Sequence, residues 1–194
     1  MTNNPYIQDI LSQPSALQIA LERFDPSLLA PLASAIQRGD FDRIVLSGMG
    51  GSLYASYPVW LTLANAGLPA IWIDTAELIH HTPGIVTPRT LFWLFSQSGR
   101  SAEIVAALDF ERISRPAALL ASVNDLDSPL AKAPKDLGGA SAYLPIHEKE
   151  KKTVSTRTLL NTLAIGQLAA LALLGMDIED SHSELKQTAE AMEN

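Results

Sequence analysis

Ser96-Gln97-Ser98-Gly99-Arg100-Ser101 sets three hydroxyls, an amide side chain and a glycine directly after the apolar run Leu91-Phe-Trp-Leu-Phe95. An apolar run of that kind, without alternation, reads as a parallel strand buried on both faces. Hydroxyls and backbone N–H groups at the end of such a strand, opening a helix read over 102–113, suit an anion such as a phosphate. The alternative is that the serines only cap the helix and shape the turn. A second such place is Ser47-Gly48-Met49-Gly50-Gly51-Ser52, at the end of an earlier strand. As a dinucleotide fingerprint it offers Gly48 and Gly50, with Asp74 at about the spacing of a ribose-binding acid, but Leu53 stands where the third glycine belongs. As a tight strand-to-helix turn it needs no ligand. Two anion-suited turns at the carboxyl ends of one sheet fit a single phosphorylated ligand better than either.

Groups able to move protons are fewer. Glu77-Leu78-Ile79-His80 places a carboxylate and an imidazole on one side of a helical turn, a pairing suited to general acid–base work. The alternative is a solvated loop acid beside a packed histidine. Glu148 and Glu150, flanked by Lys149, Lys151 and Lys152, form a mixed-charge loop in which Glu150 is a second candidate base. His80-His81 lacks further ligands around it, so no metal site and no cofactor are expected.

The chain that must position these groups has 194 residues, the size of one ordinary domain. Hydrophobic residues at 47% with 18% charged exclude a disordered chain. No uncharged apolar run approaches the roughly 18 residues of a membrane span. Met1-Thr-Asn-Asn-Pro5 has neither the basic nor the apolar region of a signal peptide, and there is no cysteine for disulfides or thiolate ligands, so the cytoplasm is the expected compartment. A net charge of −7 and a pI near 5.0 disfavour nucleic acid and anionic membranes as partners, although a small phosphorylated ligand answers to the local field.

Strands are read at 43–47, 69–73, 91–95, 116–123 and 142–145, with helical stretches between them. Among these are a helix from Asp25-Pro26 to near Gly39, one over 52–66 stopped by Gly67, and a short helix or loop over 75–81. That alternation predicts an α/β fold, a five-stranded parallel sheet with right-handed crossovers and helices on both faces. The helix over 154–174 is apolar on nearly every side, from Leu159 to Leu174, so the sheet is expected to cover one face and a subunit interface the other. Ser181 with Glu184 forms a capping-box pattern for a thinly apolar last helix, either frayed or a linker. The expected organisation is N-terminal helices over 1–40, a ligand-binding domain over 41–175 and a polar helix or linker over 176–194.

These segments also resemble a family. Ser96-Gln97-Ser98-Gly99-Arg100-Ser101 is similar to the Ser-Gln-Ser-Gly-x-Thr/Ser signature of the sugar isomerase (SIS) domain, and Gly50-Gly51-Ser52 falls where that family carries its first Gly-rich turn. Tyr6-Ile7-Gln8-Asp9-Ile10 with Gln13-Pro14 resembles the Met-x-x-Glu-Ile-x-x-Gln-Pro lead-in of the isomerase half of glutamine:fructose-6-phosphate amidotransferase. Thr153-Val154-Ser155-Thr156-Arg157 resembles the Val-Ala-Ser-Thr-Lys segment that opens that half's last long helix. The four segments span residues 5–175 in the family's order.

The resemblance implies a three-layer α/β/α sandwich of SIS type that binds a phosphosugar. It implies a sugar-phosphate or amino-sugar-phosphate isomerase or one half of a tandem isomerase, the alternative being a non-catalytic phosphosugar-sensing module. It puts the phosphate on Ser52, Ser96, Ser98 and Ser101 beside Gly50 and Gly51, with Gln97 touching phosphate or sugar and Ser155 beside the sugar or capping its helix. Arg100 stands where the family commonly has Glu, so it either attracts the anion or points to solvent. Glu77 and His80 match the Glu-x-x-His segment of the second half of tandem isomerases, whereas the other motifs match the first half, where that Glu is not the base. The partner implied is a homodimer mate or a second SIS half.

Overall fold

The computed structural model of the chain describes residues 4–146 and 155–193. Helix α1 (Pro5–Leu11) opens on Asn4, whose Oδ1 accepts the Tyr6 N–H at 3.0 Å, with Pro5 in the first turn where a missing N–H costs nothing. Helix α2 (Gln13–Arg23) follows. The helix expected from Asp25 begins as a 3-10 turn, Pro26–Leu29, and becomes α3 (Ala30–Gln37).

The alternating part then begins with β1 (Arg43–Gly48). The single helix expected over 52–66 is two, α4 (Gly51–Ala55) and α5 (Tyr57–Asn65), because Pro58 has no N–H to give the Tyr54 carbonyl. Next come β2 (Ala70–Asp74), α6 (Thr75–His81) and β3 (Thr90–Ser96). The helix expected over 102–113 stops early as α7 (Ala102–Ala106), where Asp109 starts a turn of its own by accepting the Glu111 N–H at 3.1 Å. The chain continues through β4 (Ala118–Val123), α8 (Pro129–Leu137), β5 (Ala142–Pro145), α9 (Arg157–Leu173) and α10 (Glu179–Ala191). The capping box does not form. Asp177 Oδ1 accepts the Glu179 N–H at 2.9 Å, so the helix starts earlier and Ser181 lies inside it.

All strand pairs are parallel, in the order β2-β1-β3-β4-β5. Alternate side chains define the two cores. Ile44, Leu46, Trp93, Phe95 and Leu120 face a layer made by α2, α3, α5, α9 and α10, while Val45, Phe92, Leu94 and Leu119 face α6, α7 and α8. Every residue of β3 is buried, which is why its sequence shows no alternation.

Much of α9 is covered within the chain, from the sheet on one side and α2, α3 and α5 on the other, while Leu159 stays exposed and Leu160, Leu163 and Leu171 are half-buried. A side chain at Gly166 would sit 2.9 Å from Val59 of α5, a measure of how closely the two helices approach. Helix α10 packs against the rest of the domain. Ala189 is fully buried, and His182 Nε2 lies 3.0 Å from the Leu21 carbonyl of α2. Among the described residues no helix is long and apolar enough to cross a membrane.

Trp93 and Ser122 give the sheet one of its few buried side-chain hydrogen bonds, the indole Nε1 donating to the Ser122 Oγ at 2.8 Å. Replacing Ser122 by Ala strands the indole N–H in the core. The expected loss of stability is about 1–3 kcal/mol, read as a lower urea midpoint at unchanged slope.

Candidate functional site

An open parallel sheet with strand order 2-1-3-4-5 reverses direction between β1 and β3, and ligands of such sheets bind outside the carboxyl ends of the strands at that reversal. Both hydroxyl-bearing turns lie there. Gly48, the last residue of β1, is in register with Phe95, and Ser96 ends β3 in register with Val123 of β4. A Cβ on Gly48 would lie 2.9 Å from the Phe95 carbonyl oxygen and 3.1 Å from the Leu53 backbone nitrogen, so only glycine lets the first turn fold back over β3. Gly50 sits at φ +51°, in the left-handed region, and is exposed with Gly51, while Ser52 is half-buried in the first turn of α4.

The second turn is held from within. Ser96 Oγ accepts the Gly99 N–H at 3.0 Å and Ser98 Oγ accepts the Arg100 N–H at 3.2 Å. Both serines therefore shape the turn, and each hydroxyl keeps its own proton to donate. Ser96 is buried, Gln97 half-buried and Ser98 exposed. Ser101 takes the N-cap position of α7 but makes no side-chain capping bond. A five-residue helix has little dipole to offer, so an anion here would be held by turn amides and hydroxyls.

Neighbouring strand ends fix the turn from outside. The Asn124 N–H donates to the Gln97 carbonyl at 3.2 Å, and Arg100 Nε lies 3.0 Å from Asp125 Oδ2. Arg100, with its side chain half exposed, is thus paired across to the loop after β4. Gly99 stands at φ +63°, and a Cβ there would collide with the side chain of Ser128. On the far side Asn124 Nδ2 donates to Thr158 Oγ1 of α9 at 2.9 Å. Leu159, the next residue, reaches to 3.9 Å from the place of a Gly51 Cβ. Ser155 is half-buried, two residues ahead of α9.

Glu77 and His80 are placed differently. They lie on α6, after edge strand β2, and both are exposed. Thr75, the residue that anchors α6 to the sheet, is buried and 2.9 Å from Ser47 Oγ. Asp74, the acid of the dinucleotide reading, caps α6 by accepting the Ala76 N–H at 2.8 Å, which accounts for its position without a ribose. Glu148 and Glu150 lie outside the described residues. Among the described residues no group of three or more His, Asp or Glu could hold a metal ion.

Asn124, Asp125 and Thr158 were not singled out from the sequence. Applying the strand-end rule to β4 as well as to β1 and β3 finds the first two; Thr158 carries no signal in the sequence.

No family model matches the chain. It is 29% identical over 182 residues to arabinose 5-phosphate isomerase KpsF of Escherichia coli O6:H1 strain CFT073, an alignment covering 89% of this chain and 53% of the relative. The chain spans about half the length of the curated relatives it matches. Among solved structures, an E. coli CFT073 protein in complex with A5P superposes with a TM-score of 0.68 at 24% identity, over 90% of this chain and 93% of the other. Tagatose-6-phosphate ketose/aldose isomerase from Escherichia coli superposes with a TM-score of 0.75 at 17% identity, over 98% of this chain and 53% of the other. At these identities the structural likeness is one of fold.

The fold is of the sugar isomerase (SIS) type, and the sequence is consistent with that family. In sequence the chain is similar to the arabinose 5-phosphate isomerases.

Tyr143 reports on the loop after β4. Its hydroxyl donates to the Val123 carbonyl at 3.1 Å, and burial together with the negative charge of Asp125 pushes the phenol up to about 12. A folded-state value above the unfolded one means that the neutral phenol stabilises the fold below about pH 10, and that this stabilisation is lost as pH rises toward 12. Asp125→Asn is expected to bring the phenol's titration down toward its ordinary value, measured as phenolate absorbance against pH in a Tyr143→Phe difference.

Proposed function

We propose that the chain binds a phosphorylated sugar across the carboxyl ends of β1 and β3 and interconverts its aldose and ketose forms. The observation that carries this reading is the pair of hydroxyl-bearing turns standing side by side at the strand-order reversal, on a chain related to arabinose 5-phosphate isomerases. Residues 41–175 are the proposed ligand-binding unit, with the helices before and after packed on it.

In this reading the phosphate accepts the hydroxyl protons of Ser52, Ser96, Ser98 and Ser101 and the amides of the Gly50-Gly51 turn. Gln97 and Ser155 border the sugar. Because the hydroxyls of Ser96 and Ser98 already accept from backbone N–H groups, their free hydrogens are left to serve an acceptor-only ligand. Isomerisation then removes the C2 proton of the open-chain aldose and returns a proton to C1 through an enediol, while a proton passes from O2 to O1. Glu77 is the proposed base and His80 its helper. For a pentose phosphate, arabinose 5-phosphate is the substrate to test first.

Exposure of both Glu77 and His80, one strand away from the reversal, favours a second reading in which the domain binds a phosphosugar without turning it over. Self-association is proposed from the exposed Leu159 at the start of α9 and from Tyr54, Tyr57 and Leu61, exposed on α4 and α5. Light scattering at micromolar concentration tests it, and a monomeric mass rejects it.

Ser98→Ala is the cleanest test of binding, since Ser98 is exposed and its loss leaves the Ser96–Gly99 bond of the turn in place. Loss of one charge-assisted hydrogen bond is worth roughly 1.5–3 kcal/mol, so affinity for arabinose 5-phosphate by calorimetry is expected to fall about ten- to hundredfold. Unchanged affinity in the Ser96→Ala/Ser98→Ala double variant rejects the site. For catalysis, Glu77→Gln is expected to slow turnover by roughly 10² to 10⁴-fold while sparing affinity. A wild-type chain that binds a phosphosugar yet never exchanges its C2 proton with deuterated solvent establishes the second reading instead.

A further inference from the structure

The first turn of α9 is tied to three separate elements by three consecutive side chains. Arg157 NH2 lies 3.2 Å from Asp9 Oδ1 of α1, Thr158 accepts from Asn124 after β4, and Leu159 packs toward Gly51 of the first turn. Of the three contacts only the first is ionic, and it is the most secluded ion pair among the described residues, with side chains 16% and 9% exposed. Asp9 Oδ2 is buried as well and makes no hydrogen bond, so this carboxylate depends on the guanidinium for compensation. A charge withdrawn from water in that way holds its partner in one place, because no other arrangement satisfies it.

The rest of α1 supplies little reason to be where it is. Tyr6, Ile10 and Leu11 are all exposed, and Asp9 is the one buried residue of the helix. Ile7 is half-buried and Ser12 joins the helix to α2, and the Asp9 carboxylate is what ties it to α9. Ser155 lies two residues ahead of Arg157 on the same segment.

We propose that Asp9 is a positioning residue of the ligand site: by holding Arg157 it fixes the first turn of α9, and with it Ser155 and the support that Leu159 and Thr158 give to the two strand-end turns. This rests on the phosphosugar reading above. Asp9 touches no ligand in this scheme. A displacement of about an ångström at the receiving groups is sufficient to be felt in binding.

The test is calorimetric titration of arabinose 5-phosphate and a set of other pentose and hexose phosphates into the wild-type chain, Asp9→Asn and Asp9→Glu, well below each variant's melting temperature. Asp9→Asn keeps the size and removes the charge, and is expected to lose roughly tenfold or more in affinity. Asp9→Glu restores the charge and is expected to recover most of it. In the ligand-free chain, amide hydrogen exchange at residues 156–160 is expected to quicken in Asp9→Asn and return in Asp9→Glu. A lower melting temperature with unchanged affinity and unchanged exchange at 156–160 makes the pair merely structural and overturns the proposal. Where Asp9→Asn does not fold, Arg157→Lys keeps the charge at shorter reach, and reduced affinity supports the proposal while wild-type affinity overturns it. No binding by the wild-type chain is a different failure: the phosphosugar reading falls, and the positioning role falls with it.

Discussion

The close approach of β1 and β3 at Gly48 is the constraint on which the rest of the site depends. With the Phe95 carbonyl 2.9 Å from the place of a Cβ, any side chain at Gly48 would push the first turn off the sheet. The absence of that side chain lets the chain turn at once into α4, and it brings Gly50, Gly51 and Ser52 alongside the turn that follows Ser96. A glycine at the same place in a dinucleotide-binding turn would serve the same packing need. Glycine spacing alone therefore does not distinguish the two ligand classes, and the second turn, with its hydroxyls, is what separates them.

In that second turn the serines hold the backbone, and the same arrangement leaves their protons available. A hydroxyl has one proton and two lone pairs. In Ser96 and Ser98 a lone pair is taken by a backbone N–H two or three residues on, which fixes the oxygen and leaves the proton. An acceptor-only ligand such as a phosphate is the complement of that arrangement, whereas a ligand with donors of its own would compete for the remaining lone pair. Rigidity comes from neighbours: Asn124 holds the Gln97 carbonyl, Asp125 holds Arg100, and Ser128 fills the space that a side chain at position 99 would need. Donors fixed before the ligand arrives lose less freedom on binding.

Much of this was legible in the sequence because it is written in local terms. The unalternating run 91–95 predicts a strand buried on both faces, and β3 is one; the spacing of strands and helices predicts the parallel three-layer sheet. The reading went astray where a single residue or a distant contact decides. Pro58 splits the expected helix after β1, Asp109 ends α7 early, and Asp177 rather than Ser181 opens α10. The apolar girth of α9 calls for several covers, and hydrophobicity does not say whose surface provides them; the chain's own α2, α3 and α5 provide part, and Leu159 stays exposed. Arg100 is a similar case. Its partner, Asp125, sits on another loop, and nothing in the spacing of residues 96–101 points to it.

The pairing of Arg100 with Asp125 bears on what kind of recognition the site can offer. A phosphate bound by a free guanidinium gains a strong but undirected attraction, screened by salt and open to any anion. Here the cation inside the serine turn is neutralised by a carboxylate that is itself largely buried, and the described donors facing the strand ends are hydroxyls and amides with fixed directions. Directional neutral donors select for the tetrahedral set of acceptor oxygens of a phosphate more sharply than for charge as such. With a chain that carries a net charge of −7, that route to an anionic ligand is also the one least opposed by the protein's own field, since its strength is gathered at contact distance and not from afar.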